Sequence, residues 1–382
     1  MKRLGITRVT NTTMLDCIGI PVYTSIRPDA ALGTLCVNAG KGSTSEEAQV
    51  GAAMEAIEFA MAEHRHSKLP IVAATVRDVL ECRSRPASIL DLCPKLGAVI
   101  PLDSPINCVE MKDIVSGESL LIPAELVFLP TPKEIAPVRY FISNSTGLSS
   151  GNTVLEASVH GLSELIERDI SSFYNLQDRS VLVDPNSFPA QAAKLVELLS
   201  SAGIELFVRY QENPFNIAWF SATIFDAEHP SPFYVNAGYG CHPDRSIALI
   251  RAITEAVQSR MSFVHGGRDD LDDIYKKFNE REPAYSTEYV DRLRKFVSIE
   301  TNSIAVGDIP DHSKTVKDIA SAFDCLAELL EGEGIKRILR VCYTDTDDAL
   351  QVVRMIAPGL ENFSETSQRM GPRLRDFVKG MK

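Results

Sequence analysis

The sequence predicts an α/β fold carrying internal pseudo-symmetric repeats, and three observations lead there. Apolar runs of strand length alternate with stretches of helical periodicity along all 382 residues. One helical stretch recurs without a gap, so that residues 42–58 (GSTSEEAQVGAAMEAIE) lie on residues 151–167 (GNTVLEASVHGLSELIE) at a displacement of 109. Gly42, Thr44, Glu47, Ala48, Val50, Glu55, Ile57 and Glu58 fall on identical residues. A looser third copy lies 200 residues on, where Ala248, Glu255 and Gln258 replace Ala48, Glu55 and Glu58. No low-complexity linker separates the copies. One intertwined domain over residues 1–382 is therefore expected, with repeat helices near 44–64, 153–169 and 245–262 around a shared site.

Residues 1–40 read as strands and turns, with 18–26 and 32–39 extended. Gly40-Lys41-Gly42 punctuates the entry to the first repeat helix, which is mostly Ala, Met, Ile and Val around Glu55 and Glu58. Residues 68–140 alternate short apolar runs with prolines, as strands of a mixed sheet with short helices would. A small-residue loop (SNSTGLSSG, 143–151) leads into the second helix. There Thr153 and Glu156 form a capping-box pattern, and Val154, Leu155, Val159, Leu162, Leu165 and Ile166 supply the apolar surface.

Further on, 194–203 is an amphipathic helix ending at Gly203, and 204–210, 219–225 and 233–237 are strands. Asp244 caps the third repeat helix. Residues 266–295 are charged, with Asp269, Asp270, Asp272 and Asp273 clustered; the EF-hand spacing is missing, so this reads as a solvated insertion. A helix at 323–332 and strands at 338–344 and 352–356 complete the pattern.

A formal charge of -12 argues against a general nucleic-acid or membrane surface, which needs basic patches. The N-terminal MKRLGITRVTNTT has no apolar run and does not read as a signal peptide; no segment approaches the ~20 apolar residues of a membrane span. The eight cysteines show no Cys-x-x-Cys, so neither a zinc knuckle nor a disulfide framework is expected, and a cytoplasmic location is.

On the second helix Glu156, Glu164 and Glu167 fall within roughly 80° of one another at about 100° per residue. Like charges on one face repel, so a positive group belongs there. The reading that satisfies this is a magnesium-nucleotide site. Magnesium takes oxygen ligands and keeps phosphates and water in its shell, needing one or two carboxylates per ion. Glu55, Glu58, Glu164 and Glu167 are the candidate metal ligands, and Arg8, Lys41, Arg168, Arg251 and Arg260 the cations for phosphates.

A single Glu-x-x-Glu is ordinarily a solvated face; two in register within a repeat are not. Arg168 can instead pair with Glu164, and Arg251 with Glu255, at i and i+4. His64 and His66 read as surface residues and His160 as a satisfied helix histidine. A di-iron carboxylate site requires Glu-x-x-His, which residues 58, 167 and 258 do not supply. There is no Walker A loop. A nucleotide-binding accessory protein without turnover is the non-enzymatic alternative.

These segments, GKGSTSEEAQVGAAMEAIE, SSGNTVLEASVHGLSELIERD and ALIRAITEAVQSR, resemble the ATP-binding segments of YcaO-domain proteins. The likeness runs from Gly5-Ile-Thr-Arg8 to Gly371-Pro-Arg-Leu374. It implies a YcaO-like mixed α/β fold that binds ATP and magnesium and phosphorylates the oxygen of a peptide backbone amide once a nucleophile has added. An azoline, thioamide or amidine results, according to the nucleophile. Carried over, Glu55, Glu58, Glu164 and Glu167 hold magnesium. Ser149, Asn152, Glu156, Arg168, Glu255, Gln258 and Arg260 line the nucleotide, with Arg8 near its phosphates.

The pattern departs at Gly51 and Phe59, where the family often carries Ser and Arg. Azoline-forming members commonly end in Pro-x-Pro-x-Pro, whereas this chain reads RMGPRLRDFVKGMK. Pro358-Gly-Leu-Glu361 and Arg369-Met-Gly-Pro-Arg373 resemble the subgroup that makes thioamides with a TfuA partner. The expected partners are thus a peptide or protein substrate, a TfuA-like or leader-binding protein, and a second copy in a homodimer. No catalytic base is identified.

Overall fold

The structure, a computed structural model, describes the chain apart from residues 82–87, 230, 269–270, 272–275, 277–286, 300–301, 365–366 and 382. The aspartate cluster at 269–273 lies outside the described residues. In chain order the elements are β1 (Arg8–Asn11), β2 (Val22–Ile26), β3 (Val37–Lys41), α1 (Ser45–Ala62), β4 (Val72–Thr75), β5 (Pro105–Asp113), β6 (Ser119–Pro123), β7 (Leu148–Gly151) and α2 (Val154–Tyr174). Then come β8 (Val181–Val183), α3 (Ala190–Ser201), β9 (Ile204–Tyr210), β10 (Ala218–Asp226), β11 (Val235–His242), α4 (Arg245–His265), α5 (Thr287–Val297) and β12 (Ser303–Ile304). α6 (Ile319–Gly332), β13 (Leu339–Cys342), β14 (Gln351–Ile356) and α7 (Pro372–Gly380) follow.

The chain divides into two compact units. The first comprises Met1–Ala30, Leu35–Ile57 and Arg179–Thr315; the second comprises Ala31–Thr34, Glu58–Asp178 and Val316–Lys382. The boundary passes through α1, between Ile57 and Glu58.

The first unit holds the antiparallel meander β1-β2-β3 and a five-stranded sheet in the order β11-β10-β9-β8-β12, antiparallel except where β12 joins β8. Helices α3 and α4 bury Leu195, Leu199, Leu249, Ile253 and Val257 against Val208, Phe220 and Ile224, and Ile18, Ile20 and Val22 extend that core. At about 25 cal/mol per Å² of apolar surface removed from water, this shared core joins Met1–Ala30 to Arg179–Thr315, while β2–β3 pairing ties in Leu35–Ile57.

The second unit holds a sheet in the order β4-β5-β13-β14-β7 with β6 paired to β5. Pairings between its named strands are antiparallel, and among the described residues the parallel element in 68–140 is a single bridge, Val79 to Leu121 of β6, rather than a mixed set of strands. The reason is local. β5 and β6 are joined by a turn at Gly117 (φ 77°) whose Asp113 N–H donates to the Glu118 carbonyl, and so short a connection permits only antiparallel pairing. No helix among the described residues is long and apolar enough to cross a membrane.

Candidate functional site

Each repeat is a strand, a short loop and a capped helix. Thr153 Oγ1 accepts from Glu156 N (3.1 Å), and the Glu156 carboxylate accepts from Asn152 N (2.9 Å). Thr44 and Glu47 repeat this, with Glu47 N on Thr44 Oγ1 (3.2 Å) and Ser43 N on the Glu47 carboxylate (2.8 Å). In the third copy Asp244 takes both Ser246 N and Ile247 N. The glutamate thus reaches one residue further back than a capping box does, to the N–H before the cap.

A further glutamate of each helix bonds back to the preceding strand or, for Glu164, to the residue just before it. Glu55 accepts from Ala39 N (3.0 Å), Glu164 from Gly147 N (3.1 Å), and Glu255 from Tyr239 N (3.4 Å). A helix-borne carboxylate is thereby fixed against backbone dipoles, in a place set by the fold rather than by its own rotamer preference.

In the first unit the first and third repeats meet at Ala39. Its N–H goes to Glu55, its carbonyl accepts from Gln258 Nε2 (2.6 Å), and Lys41 forms an ion pair with Glu255. Arg251 is not Glu255's partner, and its Nε is buried without a hydrogen bond among the described residues. Arg260 is 5% exposed between Asp16 (2.8 Å) and Asp226 (3.0 Å). Burial opposes ionisation of Asp226, yet the His229 N–H and the Arg260 guanidinium outweigh it and hold the carboxyl below its ordinary value. Arg260 therefore already faces two carboxylates. Arg8 is exposed on β1 opposite Ile26.

In the second unit the first and second repeats meet. Ser150 at the end of β7 donates its hydroxyl to Glu58 of α1. One turn along α2 from Glu164, Arg168 stands 3.7 Å from it, an i,i+4 pair, and Glu167 is 4% exposed. Ser149 Oγ donates to the Ala157 carbonyl (2.7 Å), so it serves the β7–α2 junction. His160 is exposed; His64 is half-buried, edge-on to Phe128 at 5.0 Å, and so departs from the surface position expected of it.

Sequence reasoning placed strands at 32–39 and 233–237, overlapping β3 and β11, but took β7 for a loop and missed that the first and third strands share a motif. Val37-Asn-Ala-Gly-Lys-Gly42 recurs as Val235-Asn-Ala-Gly-Tyr-Gly240, displaced by 198, with five of six residues identical. In space, however, the strands keep the helices' displacement of 200, with Gly40 answering to Gly240 and Ala39 to Tyr239. The glycines are there for close approach. A Cβ on Gly40 would lie 2.0 Å from Ala52 N, and one on Gly240 would lie 2.0 Å from Ala248 O. Ser150 was missed as well, because a serine in a small-residue loop carries no periodic signal.

Each unit carries hard oxygen donors and a cation: Glu55 and Lys41 in the first, Glu58, Glu164, Glu167 and Arg168 in the second. Among the described residues no three His, Cys, Asp or Glu form a metal cage by themselves. Mg2+ needs only one or two carboxylates beside phosphate and water, so oxygen donors of this type suit an ion that arrives with a nucleotide.

Residues 39–361 match the family model described as YcaO cyclodehydratase, ATP- and Mg2+-binding. The chain belongs to the YcaO family. It is an ATP-dependent peptide-modifying enzyme whose cofactors are ATP and Mg2+. A protein of Methanothermobacter thermautotrophicus is 31% identical, covering 99% of this chain and 95% of that protein. One from the tfuA 3′ region of Rhizobium leguminosarum bv. trifolii is 33% identical, covering 100% and 90%. The structure of YcaO from Methanopyrus kandleri, bound with AMPPCP and Mg2+, superposes with a TM-score of 0.75 at 22% identity over 97% of this chain and 90% of that one, and so shares the fold.

Proposed function

We propose that this YcaO protein activates a backbone amide of a peptide or protein for thioamide formation, working with a TfuA-type partner. The observation that carries the reading is the full-length relative from a tfuA 3′ region, taken together with the Pro358-Gly-Leu-Glu361 and Arg369–Arg373 segments. Bound ATP with Mg2+ supplies the phosphoryl group that turns the amide oxygen into a leaving group. Glu55, Glu58, Glu164 and Glu167 are assigned to the metal. Arg8, Lys41, Ser149, Asn152, Glu156, Arg168, Arg251, Glu255, Gln258 and Arg260 are assigned to the nucleotide. Lys41 and Arg168, each paired with a glutamate in this structure, are the cations poised to exchange that partner for a phosphate oxygen.

The test is an incubation of the purified protein and a TfuA-type protein with ATP, Mg2+, sulfide and a candidate peptide. Peptide-dependent ADP release with exchange of one oxygen for sulfur is expected. Loss of water indicates azoline formation, gain of an amine with loss of water indicates amidine formation, and ATP binding without turnover indicates an accessory factor. Glu164→Gln and Glu167→Gln should lose Mg2+-dependent nucleotide binding by at least tenfold while their circular dichroism is unchanged. Normal ATP binding by both variants would overturn the carboxylate assignment.

A further inference from the structure

The second unit carries a cleft of about 430 Å3 that the repeats do not use. Its lining includes the cations Lys95, Lys133 and Arg139 around Leu32, Leu129 and Phe141, and no lining side chain among the described residues is acidic. In a chain of net charge -12 that is a local inversion of sign. Lys95 and Lys133 are exposed and have no ion pair among the described residues. Arg139 Nη2 is fixed to the Thr131 carbonyl (2.6 Å), which holds the guanidinium on the wall. Apolar side chains accompany the cations. Leu32 is 101% exposed, and Leu96 and Val138, next in sequence to Lys95 and Arg139, are 51% and 59% exposed. Such pairing of cation and bare hydrocarbon marks a surface built to be covered.

The walls are rigid. Thr131 Oγ1 lies 2.9 Å from Ser143 Oγ, and Ser143 donates to the Glu125 carbonyl (2.9 Å). Ser143 also lines the cleft, and it opens the 143–151 loop that leads to Ser150 and α2. A chain held in the cleft lies beside the start of the segment that carries the proposed phosphate-handling groups.

We infer that this cleft binds an acidic segment of the peptide or protein substrate, with carboxylates on Lys95, Lys133 and Arg139 and an apolar side chain against the exposed Leu32. The identification of the occupant as substrate rests on the proposed function; the acidic, apolar chemistry rests on the cleft alone. Volume and lining suit a peptide side chain with its neighbours rather than a flat surface. The three cations outweigh the distant negative charge because screening confines each charge to about 8 Å at physiological salt. The preorganised wall lowers the ordering cost of docking.

The experiment uses the full chain and a short fluorescein-labelled peptide of aspartate, glutamate, leucine and phenylalanine, read by anisotropy without nucleotide. A counterpart has amides in place of the acids. The acidic peptide should bind at least tenfold tighter and weaken as salt rises. Lys95→Glu and Lys133→Glu should each lose about tenfold while keeping the wild-type melting temperature and ATP affinity. Equal binding of both peptides, unchanged affinity in both variants, or preference for an RNA oligonucleotide or phosphatidylserine vesicles overturns the inference. Thioamide assays separate the two proposals: selective acidic-peptide binding without amide modification leaves the cleft standing and sinks the function, and modification unaltered by Lys95→Glu and Lys133→Glu does the reverse.

Discussion

Glu125 is a carboxylic acid in a place that asks for a neutral group. It is 2% exposed, accepts from Tyr140 N (3.1 Å), and is pushed to about 7 by burial, which the Tyr140 and Phe141 N–H groups, Arg139 and Arg369 only partly offset. The folded value lies above the ordinary 4.5, so the native state binds the proton more tightly than the unfolded chain does. Its contribution to stability is complete below about pH 4.5 and is lost as pH rises through 7. Glu125→Gln keeps an acceptor for Tyr140 and removes the titration. Urea denaturation of wild type and variant at pH 4.5 and pH 8 should therefore show a relative loss for wild type of roughly 3 kcal/mol between the two. A difference independent of pH would show that the proton is not held. Asp169 behaves alike in both proteins, since burial raises it to about 6 against the pull of Arg373 at 2.5 Å, and it cancels in the comparison. Neither group was legible in the sequence, where Glu125 is one acid among 51 and nothing local signals its burial.

At the scale of the element, two helix–strand glycine positions separate packing from propensity. Gly238 sits on β11 where a Cβ would lie 2.2 Å from Ala256 N and 2.4 Å from Ala252 O, both backbone atoms that cannot step aside. Gly51 is inside α1, and its nearest neighbour to a new Cβ is Gly40 Cα at 3.4 Å, an ordinary contact. Gly238→Ala should cost about 2–3 kcal/mol by forcing α4 off its strand, whereas Gly51→Ala should gain up to about 1 kcal/mol from helix propensity. Chemical denaturation curves for the two variants test this, and destabilisation by both would mean that α1 packs as tightly as α4. The helices themselves were readable, because the Thr and Asp caps and the apolar period specify them locally. The repeat strands were read only at their starts, as 32–39 and 233–237, because VNAGKG and VNAGYG have neither alternation nor β-branched runs to carry them further. Their signal is the glycine needed for contact with a helix that follows. The glutamates were legible as types and spacing, but their anchoring to Ala39, Gly147 and Tyr239 N–H groups is a tertiary fact.

The whole molecule is where sequence order and spatial order part. In the second unit β13 and β14 stand between β5 and β7, although nearly 200 residues separate β7 from β13 along the chain. Arg354 of β14, 1% exposed, donates to the Asn144 and Thr146 carbonyls that lead into β7, and Val353 and Met355 are fully buried. A fragment of residues 58–178 contains β5, β7 and α2 but lacks the strands that join them, so its sheet cannot close and its apolar faces stay wet. A fragment of residues 179–315 keeps every strand of the five-stranded sheet with α3 and α4, and loses only the part of the core supplied by Ile18, Ile20 and Val22. The first fragment is expected to show no cooperative thermal transition alone and to recover one when co-expressed with residues 316–382. The second is expected to unfold cooperatively by itself, at a lower temperature than the full chain. Circular dichroism melts of the fragments decide the matter, and a cooperative transition for residues 58–178 alone would mean that β5 and β7 pair without β13 and β14, contrary to the observed strand order.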